Sequence, residues 1–231
     1  MSQSAASPKI IGRLAGLFAI LMLADFIAFL FVDPHNTLHA NPGSGYVLGW
    51  AAANGGLLKV EGLLDGLINT LFAILLLLLI TLMGVRGPIV RIIEVMVGAA
   101  VALQWAHAGM LYALAELAPR GGADAGVLAL YTLGYTMDYS DSIPISVSLA
   151  GLGILMLRSR AMPAPLGWLT LVAAAPGFVS TPAAIAGLAI LNPISVLLSL
   201  IWALVVGITL LVKPVWGSAM EERGAIPAVD G

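Results

Sequence analysis

A charge-free stretch at residues 71–85, LFAILLLLLITLMGV, is entered through Glu61, Asp65 and Asn69, which recur every four residues. On a helix these three side chains share one face and descend from the membrane surface toward its interior. An apolar run of this kind belongs in hydrocarbon, where only closed hydrogen-bonded structures such as helices survive. Ionisable groups on such a helix are costly to insert and generally face protein or water. Gly62 and Gly66, spaced to let a second helix approach closely, border the stripe and predict that it faces protein.

Composition carries the argument to the whole chain. Of 231 residues, 60% are hydrophobic and 10% charged, with a mean hydropathy of +1.03; a soluble domain carries about 25% charged residues. Cys is absent, which excludes disulfides, thiolate metal sites and cysteine nucleophiles. Runs long enough to cross about 30 Å of hydrocarbon fall at 10–32, 62–85, 89–117, 143–157, 166–179 and 193–215. The fold class expected is all-α: one polytopic transmembrane helical bundle over residues 1–231, with about six spans. Loose polar tails are expected at 1–8 and 217–231. The first run is longer than a signal-peptide core and contains Asp25, which predicts a retained span. The fourth is expected to gain a turn or two from Val127 onward, and the fifth is interrupted by Pro176 and Pro182.

Basic residues orient the bundle. With both termini in the cytoplasm, Lys9, Arg13, Arg86, Arg91, Arg158, Arg160, Lys213 and Arg223 lie inside and only Lys59 and Arg120 outside, the bias expected of cytoplasmic loops. The acids run the other way. Asp25, Asp33, Glu61, Asp65, Glu116, Asp124, Asp138 and Asp141 map to the outer half, against Glu94, Glu221, Glu222 and Asp230 inside. Acids contribute little to topology, so this crowding asks for another cause.

Several residues could carry chemistry. Asp25 has no basic neighbour in sequence and must be protonated, paired across helices or wetted. Glu61 and Asp65 either sit at headgroup level beside water or Lys59, or turn inward. Gln104 and His107 are three apart on one face of the third span, with His107 about 15 Å from its outer end, while Tyr112 and Glu116 point elsewhere. His107 reads either as a neutral ring bonded to neighbouring backbone or as a proton carrier or metal ligand. In YTLGYTMDYSDSIP (131–144), Asp138 and Asp141 either cap the start of the fourth span or face a common site. His35 and His39 have a metal-compatible spacing, although Pro34, Pro42 and repeated Gly oppose a regular helix there. Tyr46 and Trp50 suggest interface anchors or a short helix on the membrane, and Arg91 and Glu94 an intrahelical pair.

Phosphate-loop, nucleophile-elbow, HExxH and dinucleotide signatures are absent, and no basic cluster suggests nucleic acid. RLAGLFAILM (13–22) and LMLRSRAMPAPLGWLTLVAAAPGFV (155–179), with a basic turn, a Pro and Leu-Gly-Trp opening the fifth span, resemble a group of small bacterial six-helix membrane proteins known as a domain of unknown function. The resemblance implies an integral protein of the bacterial cytoplasmic membrane and supplies no catalytic residues. The acid-rich YTMDYSDS segment departs from that group.

Three functions compete on these residues. An outward-facing acidic cavity lined by Asp25, Glu61, Asp65, Asn69, His107, Asp138 and Asp141 would bind or transport a cation, proton or small polar solute. An accessory subunit would use its Gly-rich faces, including Gly12 and Gly16, against a membrane-protein partner or a second copy. A membrane enzyme would hold a divalent metal on His107, Glu61 and Asp65 and use it to activate water or oxygen.

Overall fold

The computed structural model describes residues 8–32, 44–121, 124–185 and 191–212. Six α-helices follow in chain order: α1 Pro8–Val32, α2 Ser44–Met83, α3 Pro88–Leu117, α4 Asp124–Ser159, α5 Ala164–Ile185 and α6 Leu191–Val212. Each helix packs on its neighbours in sequence, α6 returns to α1, and α2 also touches α4 across the bundle. The fold is therefore an all-helical bundle, and the described residues contain no strand.

Turn chemistry explains several of the boundaries. Gly84 takes the left-handed conformation (φ 64°) and its N–H reaches Thr81 O at 3.1 Å, closing α2 as glycine does after a helix. Gly87 is also at positive φ (128°), and Pro88 then opens α3 where its missing N–H costs nothing. A single 3₁₀ turn, Ala118–Arg120, extends α3 and ends at Gly121 (φ 67°). Arg160 (φ 52°) ends α4, and Pro163 O accepts from Leu166 N–H at 2.9 Å as α5 begins.

Two helices depart from the lengths predicted. α2 starts at Ser44 and bends at Asn54 (φ −118°, ψ 21°), whose side-chain amide folds back on Trp50 O at 2.9 Å. The segment before Gly62 is thus helical rather than a surface loop. Its apolar face, Val47 and Ala51, is buried with Leu58, Leu111, Leu114, Val127 and Tyr131, while half-buried Trp50 packs against this cluster. α4 runs unbroken through Pro144 for 36 residues, about 54 Å at 1.5 Å per residue. It begins far ahead of residue 143, so Asp138 and Asp141 lie well inside it and cap nothing. α5 likewise continues through Pro176 and Pro182. The 33–43 segment, including His35 and His39, both tails and residues 213–215 lie outside the described residues.

Among the described residues, four helical stretches are long and apolar enough to cross a membrane: Tyr46–Met83, Pro88–Arg120, Ala125–Ser159 and Ile194–Val212, with a shorter apolar stretch at Ala164–Ser180. Ile20, Val60, Leu63, Val95, Trp168, Val172, Ile208 and Val212 are all more than half exposed. An apolar perimeter of this extent suits lipid rather than water. Hydroxyls on the exposed face of α4 are satisfied within the helix: Thr132, Thr136 and Ser140 each donate to the carbonyl four residues back. These features mark a membrane-integral bundle.

The main apolar core joins Ile11 and Phe18 of α1, Phe72 to Leu79 of α2, Ile93 of α3, Leu149 to Met156 of α4 and Trp202 of α6. Close backbone contacts hold it. Gly12 of α1 faces Gly207 and Leu211 of α6, Gly153 of α4 faces Gly167 of α5, and Gly62 of α2 lies against Ala108 of α3. Of the two glycines singled out for close helix contact within or between chains, Gly12 makes one within this chain, whereas a Cβ on Gly16 would meet nothing within 4 Å. Between the main core and the cluster around Tyr131 lies a polar cavity.

Candidate functional site

The cavity has a volume of about 140 Å³, room for several waters or a small hydrated ion. α1 contributes Asp25, α2 contributes Glu61, Asp65 and Asn69, α3 contributes Gln104 and His107, and α4 contributes Asp138 and Asp141. The i, i+4 stripe on α2 turns inward because Gly62 and Gly66 let α3 approach closely. A Cβ on Gly66 would stand 2.9 Å from the Trp105 ring, and the Trp105 indole N–H donates to Thr70 Oγ1 at 3.1 Å, fixing the two helices in register.

His107 is 1% exposed and engaged at both ends. Nδ1 lies 2.8 Å from Gly134 O of α4, and Nε2 lies 3.4 Å from Asp65 Oδ2. A carbonyl can only accept, so Nδ1 carries hydrogen. The Tyr135 ring meets the imidazole edge-on, with centroids 5.7 Å apart. His107 thus bonds to neighbouring backbone and also faces a carboxylate.

Asp25 of α1 and Asp65 of α2 both line the cavity. Across the cavity Gln104 Nε2 donates to Asp138 Oδ1 at 2.9 Å and to Asp141 Oδ2 at 2.6 Å. That arrangement fixes which end of the amide is nitrogen. Gln104 Oε1 is consequently left buried and without a hydrogen-bond partner. Asp141 is 6% exposed, so its polar contacts replace water that a carboxylate would otherwise hold.

Donor atoms of Asp65, His107 and Asp138 lie within 4.8 Å of one another. This differs from the metal set expected from sequence: Asp138 stands in the group with Asp65 and His107, whereas Glu61 lines the same cavity outside it. Lys59 also departs from expectation. It donates to Glu116 Oε1 at 2.5 Å and lies 4.8 Å from the Tyr112 ring centroid, leaving Glu61 and Asp65 to the interior. Arg120 joins Glu116 at 2.9 Å, and Arg91 pairs with Glu94 at 3.1 Å. Among the described residues, none that lines the cavity is Lys or Arg.

Tyr135, which sequence reasoning placed with Asp138 and Asp141, also lines the cavity, and three polar lining residues were not singled out: Ser142, Ser195 and Ser199. Ser195 and Ser199 are four apart on the otherwise apolar α6, a spacing visible in the sequence. Tyr135 is one turn before Asp138. Ser142 Oγ lies 3.2 Å from Gly177 O and 2.9 Å from Ser180 Oγ, linking the cavity wall to α5. No family model, curated protein or solved structure matches this chain, so the cavity is interpreted from its own residues.

Proposed function

We propose that the chain is a multi-pass protein of the bacterial cytoplasmic membrane, with both termini inside, that binds or transports a small cation, in competition with protons, through an outward-facing acidic cavity. One observation carries the reading: five carboxyl groups and a histidine from four helices line a single cavity without a Lys or Arg among the described residues. Two like charges 4 Å apart cost about 4 kcal/mol at the effective dielectric found near protein surfaces. Such a cluster persists only with positive charge brought to it, as protons, as metal or as an organic cation. The two basic residues assigned to the same outer side, Lys59 and Arg120, are both paired with Glu116.

The test is calorimetric titration of detergent-purified protein with Na⁺, Mg²⁺, Mn²⁺, Zn²⁺ and tetramethylammonium, in buffers that report proton release. At least one cation is expected to bind saturably and to displace protons, with affinity falling at least tenfold in the Asp25→Asn/Asp65→Asn double variant. Absence of binding across the panel, or equal binding by the double variant, would reject the reading. Uptake into proteoliposomes then separates carriage from binding alone.

A further inference from the structure

We infer that the cation is a first-row divalent metal of the Mn²⁺–Zn²⁺ class, coordinated by His107 Nε2 and by carboxylate oxygens of Asp65 and Asp138, with water completing its shell. The inference rests on the cation-binding reading of the same cavity and gives it a chemical identity. One imidazole and two carboxylates form a borderline donor set. It lacks the thiolates that select soft ions, and its nitrogen donor favours these metals over Mg²⁺ and Ca²⁺.

Three features of the site support a metal rather than a proton alone. The first is convergence: the three donors come from α2, α3 and α4 and already lie within 4.8 Å of one another. Donors of a tetrahedral ion at about 2.0–2.1 Å stand roughly 3.3 Å apart. The His107–Asp65 separation of 3.4 Å already meets that figure, and the bound ion would draw in the Asp138 oxygen, which lies within 4.8 Å of both. The second is tautomer control. Gly134 O holds hydrogen on Nδ1 at 2.8 Å, which turns Nε2 toward Asp65 as the nitrogen left to meet an ion, as the outer partners of metal-bound histidines do.

The third is the amide of Gln104. Gln104 is 3% exposed and lines the cavity; its Nε2 orients Asp138 and Asp141, yet its buried Oε1 has no donor. A buried acceptor of this kind calls for a hydrogen-bond donor. Water on the metal supplies one, and coordination strengthens it by polarising the O–H bond.

The test is Mn²⁺ binding to the intact detergent-purified protein, read by electron paramagnetic resonance, with electron spin echo modulation to detect a directly bound nitrogen. One Mn²⁺ per chain with ¹⁴N modulation is expected from the unmodified protein, a result that needs no variant to fold. His107→Ala should abolish the modulation and weaken Mn²⁺ and Zn²⁺ at least tenfold, while Glu116→Gln, remote from the cavity, leaves both unchanged. Binding of Na⁺ or tetramethylammonium lost in Asp25→Asn/Asp65→Asn, with no saturable Mn²⁺ or Zn²⁺, would overturn the metal assignment and leave the cation reading standing. Mn²⁺ bound without nitrogen modulation would also overturn it, and failure of every cation would overturn both.

Discussion

Replacing Gly62 by Ala tests whether the contact between α2 and α3 sets the geometry of the cavity. An added Cβ would stand 3.0 Å from Ala108 Cα, 3.2 Å from Ala108 O and 3.4 Å from Ala108 Cβ. Carbon atoms rest at about 3.5–4.0 Å, and two of these three neighbours are backbone, so the helices themselves must part. Overpacking of this kind costs about 1–3 kcal/mol, against which Ala gains about 1 kcal/mol of helix propensity over Gly. Gly98, inside α3, has nothing within 4 Å of its ideal Cβ, so Gly98→Ala collects the propensity gain alone. Gly62→Ala should therefore be less stable than Gly98→Ala by about 1–3 kcal/mol, read as apparent thermal midpoints in one detergent. It should also weaken cation binding, because parting α2 from α3 widens the 3.4 Å separation between Asp65 and His107. Equal midpoints with equal binding would show that the two helices are not held by this contact.

Further outcomes follow from other contacts. Gln104→Leu strips the donor from Asp138 and Asp141 and should destabilise the bundle by about 1.5–3 kcal/mol, the range for a hydrogen bond to a charged group; thermal unfolding at neutral pH checks it. Trp202→Phe removes the indole N–H that donates to Thr170 Oγ1 at 2.9 Å from a fully buried ring, at a cost of about 1–3 kcal/mol for the acceptor left buried plus lost packing. Thr170→Val removes the same acceptor with little change of volume, together with the hydroxyl's own bond to Leu166 O at 2.7 Å, and should cost at least as much. Lys59→Ala breaks the peripheral pair with Glu116 and the contact over the Tyr112 ring and should leave cation affinity unchanged; a large loss would place Lys59 in the site.

The sequence was most readable where periodicity, turns and tertiary packing agree. The third span, read as 89–117, is Pro88–Leu117 because Gly87 and Pro88 form an unambiguous start. The fourth was misplaced because Asp, Ser and Pro before residue 145 imitate a helix start. In the folded chain Asp138 and Asp141 bond Gln104 from within α4, and Thr132, Thr136 and Ser140 satisfy their hydroxyls on their own carbonyls. The beginning of α2 was hidden by Gly and Asn, whose low propensity is overridden once Val47 and Ala51 bury against α3 and α4. The inward stripe of Glu61, Asp65 and Asn69 was legible from spacing, as was the shared face of Gln104 and His107. The pairing of Lys59 with Glu116, 57 residues away, and the choice of Asp138 over Glu61 beside His107 depend on helix rotation, which hydrophobic periodicity does not determine in a membrane bundle.

The convergence of α2 and α4 on one ion can be measured without knowing the natural ligand, because the described chain has no cysteine. With Asp65→Cys and Asp138→Cys combined, two thiols face the His107 imidazole, and thiolates select soft metals. Cd²⁺ titrated into the double variant should give a stoichiometric thiolate charge-transfer band and an affinity far above either single variant, while Leu63→Cys/Leu133→Cys, on exposed positions of the same two helices, gives neither. Cd²⁺ binding no tighter in the Asp65/Asp138 double variant than in its single parents would contradict a shared cavity.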